Sequence, residues 1–184
     1  MEEGITLFDP LKLTLLVTDY SKYGIGFLLL QKQCSCQELK NDGTLNSTCC
    51  NTGWQVTMVG SRFTRNAEPN YSPTEGELLA VGDALKKTKY FTLGCPRFYV
   101  GTDHKPLLGI FASRDLDAID NPRLVKLKEK TLGWIFTLVY IPGKKIGGTD
   151  ALSRYGLGEE HEHQLAYIRQ HMFCLLSKEQ DTDT

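Results

Sequence analysis

The alternation of apolar and polar residues along the chain predicts five β-strands. Residues 12–19 alternate and end on an acid, and the apolar run at 24–30 follows closely enough to be the hairpin partner of that strand. Residues 33–53 are polar and rich in turn formers, which predicts a long loop before a third strand near 54–62. The last two strands are predicted at 97–102 and at 134–141, the latter closed by Pro142-Gly143.

The clearest predicted helix follows the third strand. Ser72 fits the N-cap, Pro73 the first helical position and Glu75 the third position, which together form the pattern of a capping box. The helix is predicted to reach about Tyr90, because Gly94 lies just past that point. Its apolar face comes from Leu78, Val81, Ala84 and Leu85.

Shorter helices are predicted at 105–112 and 123–132, separated by a loop through Asn121-Pro122, and a last helix is predicted to begin near Asp150. Three strands followed by alternating helices and strands is the order of an α/β domain with a mixed sheet. The remainder, 156–184, is an acidic and polar tail in which only 164–176 has the pattern of a short amphipathic helix.

Composition narrows the class of protein. The chain has 184 residues, 41% of them hydrophobic and 23% charged, which is typical of one globular domain with a full core. No apolar run is long enough to span a membrane, and the N-terminus lacks a basic flank and a hydrophobic signal core. We therefore expect a cytoplasmic or nuclear protein that is not secreted. The net charge of −1 argues against a domain whose main function is to bind nucleic acid, because such domains are usually basic.

Four carboxylates stand where distant parts of a chain can converge. Asp19 and Asp103 each end a predicted strand, Glu77 lies in the first turns of the long helix, and Asp150 opens the last one. A cluster of like charges is costly unless a cation neutralises it, and hard divalent cations prefer oxygen ligands. Two such ions are the usual apparatus for attack on a phosphodiester. Glu77 is favoured over Glu75, which the capping box already occupies.

The residues around these acids resemble the ribonuclease H domain of gypsy-class LTR-retrotransposon reverse transcriptases. The resemblance runs in family order over about residues 8–155, and Phe8-Asp9-Pro10 is similar to the end of the preceding polymerase connection region. The matching stretches are Thr18 to Gly26, Asn70 to Ala80, Thr102 to Leu108, Pro142 to Lys144, and Thr149 to Arg154.

The resemblance implies an α/β ribonuclease H-like fold, in which a mixed five-stranded sheet is flanked by helices. It implies hydrolysis of the RNA strand of RNA–DNA hybrids with two magnesium ions, or manganese, held by the four acids. The implied partners are the hybrid and the polymerase domains of a parent polyprotein, with no membrane and no small-molecule cofactor. Substrate contacts are expected within the matching stretches, from Ser21, Tyr71, His104, Lys144 and Arg154.

The expected domain organisation is a remnant of the connection region at 1–11, the ribonuclease H-like domain at 12–155 and the polar tail at 156–184. Within the domain, 34–52 is expected to be a loop insertion. Its four cysteines, Cys34, Cys36, Cys49 and Cys50, are expected to be free thiols, because Cys-x-Cys with an adjacent Cys-Cys is a poor match to a zinc site.

The chain departs from the family pattern at two places near the acids. Tyr20 stands where the family usually has a small residue, and 146–149 replaces the usual segment before the last aspartate. An alternative function therefore stays open, that of a catalytically weak or inactive domesticated module that binds nucleic acid or protein. The four intact acids favour the enzyme.

Overall fold

The computed structural model describes residues 7–36, 53–112 and 115–142 of the chain. Within these ranges five strands form one sheet in the order β3-β2-β1-β4-β5. The strands are β1 (Thr14–Tyr20), β2 (Gly24–Lys32), β3 (Trp54–Phe63), β4 (Phe98–Thr102) and β5 (Thr137–Tyr140). The α-helices are α1 (Pro73–Lys87), α2 (Lys89–Thr92), α3 (Pro106–Ala112) and α4 (Pro122–Glu129).

The sheet is mixed. The strands β1, β2 and β3 are consecutive in the chain and pair antiparallel. The strands β4 and β5 add to the other side of β1 in parallel, each after a helical connection. The predicted α/β fold with a mixed five-stranded sheet and flanking helices is confirmed.

Two apolar clusters cover the two faces of the sheet, as the period of two along β1 requires. Leu15 and Val17 lie in one cluster with Leu28, whereas Leu16 lies in the other with Phe27. The second cluster also contains the buried face of α1, namely Leu78, Leu79, Ala80, Val81, Ala84 and Leu85. The core therefore fixes the helix against the central strands.

The start of α1 agrees with its prediction. The Ser72 side chain accepts a hydrogen bond from the backbone N–H of Glu75, and the Glu75 carboxylate accepts one from the backbone N–H of Ser72. Pro73 occupies the first turn, where its missing N–H costs nothing. The sequence therefore predicted this helix start correctly to the residue.

The predicted end of that helix, near Tyr90, is wrong. The helix α1 stops at Lys87, and α2 is a separate turn of four residues. The break is at Thr88, whose buried hydroxyl donates to the Ala84 carbonyl and also lies 3.3 Å from the Thr92 hydroxyl. A threonine that bonds back to the preceding turn weakens the helical ladder at that point.

The strand predicted at 134–141 is shorter in the structure, where β5 begins at Thr137. The backbone N–H of Trp134 is already used in a turn, donating to the Thr131 carbonyl, and its indole N–H donates to the Thr92 hydroxyl. Trp134 is thus held against α2 instead of extending the sheet.

The predicted helix at Asp150, the amphipathic segment at 164–176, and residues 37–52 of the expected loop insertion lie outside the described residues. The proposed domain limits at 1–11, 12–155 and 156–184 stay predictions. In the part of the chain that the structure describes, no helix has the length and apolar character needed to cross a membrane.

Candidate metal centre

Two of the four predicted acids meet because their strands are parallel neighbours. The strands β1 and β4 pair from Thr14 opposite Phe98 to Val17 opposite Gly101. Parallel neighbours end at the same edge of a sheet, so Asp19, near the end of β1, comes beside Asp103, which directly follows β4. Asp19 is buried and Asp103 is half-buried.

Glu77 reaches the same edge from α1. The apolar face of this helix packs on the sheet through Leu78 and Val81, which leaves the first turns of the helix beside the end of β1. Glu77 is only 7% exposed. Carboxylate oxygens of Asp19, Glu77 and Asp103 lie within 4.8 Å of one another. The structure therefore brings together the three predicted acids that it describes.

Asp19, Glu77 and Asp103 form an acidic triad, and their proximity shifts the pKa of Glu77. Burial, followed by the negative charges of Asp19 and Asp103, raises the pKa of Glu77 to about 9, although a hydrogen bond from the backbone N–H of Tyr20 opposes the rise. Without a cation, the site therefore holds one proton on Glu77 at neutral pH.

The donor set fits a hard divalent cation. Glu77 Oε2 is buried and makes no hydrogen bond within the described residues. A buried carboxylate oxygen without a partner is costly, and a metal ion would satisfy it. The triad offers only oxygen ligands, which Mg²⁺ and Mn²⁺ prefer.

The neighbouring acid, Glu75, is already satisfied. Besides its part in the capping box, it accepts hydrogen bonds from Asn121 and Arg123 and forms an ion pair of 3.2 Å with Arg123. Burial alone would raise the pKa of Glu75, but the hydrogen bonds from Ser72, Asn121 and Arg123 outweigh it and the pKa is lowered. Glu75 therefore has a structural role that accounts for all of its contacts.

The predicted substrate contacts occupy two different surroundings. His104 follows Asp103 directly, and its Nε2 lies 2.8 Å from the Thr74 hydroxyl on α1. Tyr71 lies just before α1, and the guanidinium of Arg123 covers its ring at 4.7 Å from the centroid. Ser21 Oγ instead accepts hydrogen bonds from backbone N–H groups in the turn between β1 and β2.

Arg123 and Asn121 contact Glu75, and neither residue was predicted to have a role at the site. Asn121 is the N-cap of α4, its side chain accepting from the backbone N–H of Arg123, and Pro122 is the first residue of the helix. An Asn-Pro pair at a helix start was the available local signal. No local signal pointed to their contact with Glu75, which lies far away in the sequence.

Over residues 9–132 the chain matches the family described as "RNase H-like domain found in reverse transcriptase". The chain belongs to this family of RNase H-like domains. It is 32% identical over 142 residues to the retrovirus-related Pol polyprotein from transposon gypsy of Drosophila melanogaster, an alignment that covers 77% of this chain. The chain spans only 11% of the length of that relative.

Solved structures give the same fold. The protease-reverse transcriptase of prototype foamy virus superposes with a TM-score of 0.51 at 12% identity, covering 74% of this chain and 16% of that one. RNase H1 from the archaeon Halobacterium salinarum superposes with a TM-score of 0.50 at 15% identity, covering 78% of this chain and 96% of that one. At these identities the likeness is one of fold.

Three predicted site residues of the RNase H-like domain, Lys144, Asp150 and Arg154, lie outside the described residues. The altered segment at 146–149 lies there too. The roles of Asp150 in metal binding and of Lys144 and Arg154 in substrate binding therefore stay predictions. The metal-binding role of Asp19, Glu77 and Asp103 is likewise a prediction, now with a defined geometry.

We expect magnesium or manganese to raise the melting temperature of the RNase H-like domain, because the crowded triad exists only in the folded state. At a hundredfold excess of ion over its Kd, linkage adds about 2.7 kcal/mol to the free energy of unfolding. Thermal unfolding of metal-stripped protein, titrated with each ion, measures the effect.

The matched variant is Asp19→Asn, which relieves the repulsion and removes a ligand. It should melt higher than the parent without metal and respond less to the ion. An Asp19→Asn protein that melts lower than the parent and responds equally to the ion would contradict a shared site.

Proposed function

We propose that this RNase H-like domain hydrolyses the RNA strand of RNA–DNA hybrids endonucleolytically, as the RNase H part of a retrotransposon reverse transcriptase. The observation that carries the proposal is the buried triad of Asp19, Glu77 and Asp103, whose carboxylate oxygens lie within 4.8 Å of one another. The identity of 32% with the gypsy Pol polyprotein supports the retrotransposon setting.

Asp19, Glu77, Asp103 and Asp150 would hold the metal. Two magnesium ions, with manganese as a substitute, would supply activation of the attacking water and stabilisation of the leaving 3′ oxygen, which yields 5′-phosphate products. Glu77 has to give up its proton to become a ligand, so metal binding and deprotonation of this residue are coupled.

The other residues of the domain would position the substrate. His104 directly follows Asp103 in the sequence, and its contact with the Thr74 hydroxyl on α1 would orient its ring. The proposed contacts with the hybrid are made by Ser21, Tyr71, His104, Lys144 and Arg154. Selectivity for RNA would come from contacts with 2′-hydroxyl groups across the shallow minor groove.

The polymerase part of the parent polyprotein is the second proposed partner. The gypsy relative is about nine times longer than the aligned segment, since the chain covers 11% of it. A net charge of −1 gives the isolated domain little general attraction for nucleic acid, so we expect the polymerase domains to supply part of the grip on the hybrid.

The test is cleavage of a labelled RNA–DNA hybrid by the full chain. We expect RNA fragments with 5′-phosphate ends in magnesium or manganese, and none in excess chelator. Double-stranded DNA and double-stranded RNA of the same sequence should stay intact. Gel analysis at several ion concentrations measures both the requirement for the ion and the selectivity.

Cleavage in excess chelator would contradict the metal mechanism. A folded chain that binds manganese and the hybrid, yet leaves the RNA intact, would instead identify the non-cutting module as the correct alternative. The assay is run at low salt, where contacts between the domain and the phosphates of the hybrid are strongest.

A further inference from the structure

Tyr20 fills the space that a side chain at position 76 would need. Its ring lies directly against the backbone of Gly76, in the first turns of α1, and an added Cβ there would come within 2.1 Å of Tyr20 Cδ1 and 2.6 Å of Cγ. Contacts under 3.0 Å require something to move. The ring and the glycine are therefore complementary, and Tyr20 is also the residue that departs from the family pattern.

The ring of Tyr20 is held at both of its ends. Its Cα belongs to β1, and its hydroxyl donates a hydrogen bond of 2.5 Å to the carbonyl of Glu68. The Glu68 carboxylate accepts two hydrogen bonds from Arg62 on β3, and Arg62 Nε also donates to Asp83 on α1. Rotation of the Tyr20 ring away from Gly76 would break the hydrogen bond to the Glu68 carbonyl and is therefore unfavourable.

The contact joins β1 and α1, the elements that carry Asp19 and Glu77, two of the three acids of the triad. Tyr20 directly follows Asp19, and Gly76 directly precedes Glu77. Any change in the separation of the Tyr20 ring from Gly76 therefore moves Asp19 relative to Glu77. Metal affinity is sensitive to such movements, since ligands must be held in a defined arrangement.

We propose that Tyr20 is a positioning residue, which rests on Gly76 and thereby sets the separation of Asp19 and Glu77. The inference rests on the proposed function, because it gives that separation a purpose in metal binding. Tyr20 acts through the two acids, and its side chain need not touch metal or substrate.

The packing part of the proposal is tested in the metal-free full chain with four proteins: the parent, Tyr20→Ala, Gly76→Ala and the double variant. In the parent background Gly76→Ala should lower the melting temperature by roughly 4 °C or more, because overpacking outweighs the gain in helix propensity. In the Tyr20→Ala background the same change should raise it by roughly 2–4 °C, since alanine favours a helix over glycine.

Gly82 offers a matched control in the same helix. An added Cβ at Gly82 would meet its nearest atoms, the Leu127 carbonyl oxygen and Lys130 Cβ, at 3.9 Å, which is ordinary contact. Gly82→Ala should therefore raise the melting temperature in both backgrounds. Equal effects of Gly76→Ala in the two backgrounds would overturn the proposal, because independent positions behave additively.

The positioning part is tested by calorimetric titration of the variants with manganese. Tyr20→Ala should raise the half-saturating concentration of manganese by roughly 10- to 100-fold, the loss typical of residues that orient metal ligands. Tyr20→Phe keeps the ring and loses only the bond to Glu68, so its midpoint should stay within about fivefold of the parent. Leu30→Ala, a core truncation on β2, controls for general destabilisation and should leave the midpoint unchanged.

If Tyr20→Ala binds manganese as the parent does, Tyr20 is a packing residue only and the positioning role is wrong. If the parent itself binds no manganese, the proposed metal chemistry fails, and with it the positioning role. The coupling between positions 20 and 76 is measured without metal, so it still reports separately whether the two residues pack as described.

Discussion

Asp103→Asn is expected to lower cleavage of the RNA–DNA hybrid by more than about 100-fold while the domain stays folded. The substitution keeps the size of the side chain but removes a negative charge and a ligand from the triad at once. Loss of a residue that merely supports a metal ligand costs 10- to 100-fold, and loss of a ligand should cost more. Single-turnover cleavage with saturating enzyme measures the effect on the chemical step.

The control for this variant is Glu129→Gln, which makes the same kind of change on the exposed side of α4. Its cleavage rate should stay within about twofold of the parent, since surface substitutions away from a site change little. Undiminished cleavage by Asp103→Asn would exclude the triad as the reacting centre. Equal losses in both variants would point to net charge instead of the site.

The second large effect is a loss of stability of the metal-free domain as the pH rises. The pKa of Glu77 is about 9 in the folded protein and near the ordinary value of 4.5 when unfolded. Between these two values the folded state binds more protons, so the free energy of unfolding falls with increasing pH. The contribution of Glu77 is fully present below about pH 4.5 and is lost once the pH passes 9.

Between pH 5 and pH 8 this single group lowers the free energy of unfolding by at most about 4 kcal/mol, from 1.36 kcal/mol per pH unit. Glu77→Gln cannot ionise and should therefore lose this dependence, so that it is more stable than the parent at pH 8 and similar to it at pH 5. Urea unfolding of metal-stripped proteins at both pH values gives the difference.

Glu129→Gln again serves as the comparison, because it makes the same chemical change on the exposed side of α4. A Glu77→Gln protein whose stability falls with pH as steeply as the parent would show that Glu77 is already ionised without metal. The buried, unpartnered position of its carboxylate would then need another explanation.

Local patterns in the sequence determined the parts of the fold that were predicted well. Ser72, Pro73 and Glu75 form their capping box within four residues, so the start of α1 could be predicted without any knowledge of the sheet. The break at Thr88 could not, because it depends on hydroxyl contacts between Thr88, Ala84 and Thr92 that compete with ordinary helical continuation. The beginning of β5 likewise depends on a distant contact, the hydrogen bond from the Trp134 indole N–H to the Thr92 hydroxyl.

The acids of the triad were singled out from their places at strand ends and in a helix start, and the structure brings Asp19, Glu77 and Asp103 together. The sequence could not predict the different side-chain contacts of Glu77 and Glu75. Glu75 is neutralised by Arg123 from a distant helix, whereas Glu77 keeps a buried oxygen without a partner in the described part of the chain. The difference arises from contacts between side chains on different secondary-structure elements, which a local sequence pattern does not predict.

The packing of the Tyr20 ring against Gly76 also limits which substitutions this sequence can accept. A side chain at position 76 is tolerated only after residue 20 has become small, and a small residue at 20 leaves a gap until position 76 is filled. Either order of substitution passes through a less stable intermediate. Positions 20 and 76 should therefore change as a pair among relatives of this chain, although the strands β2 and β3 separate them in the sequence.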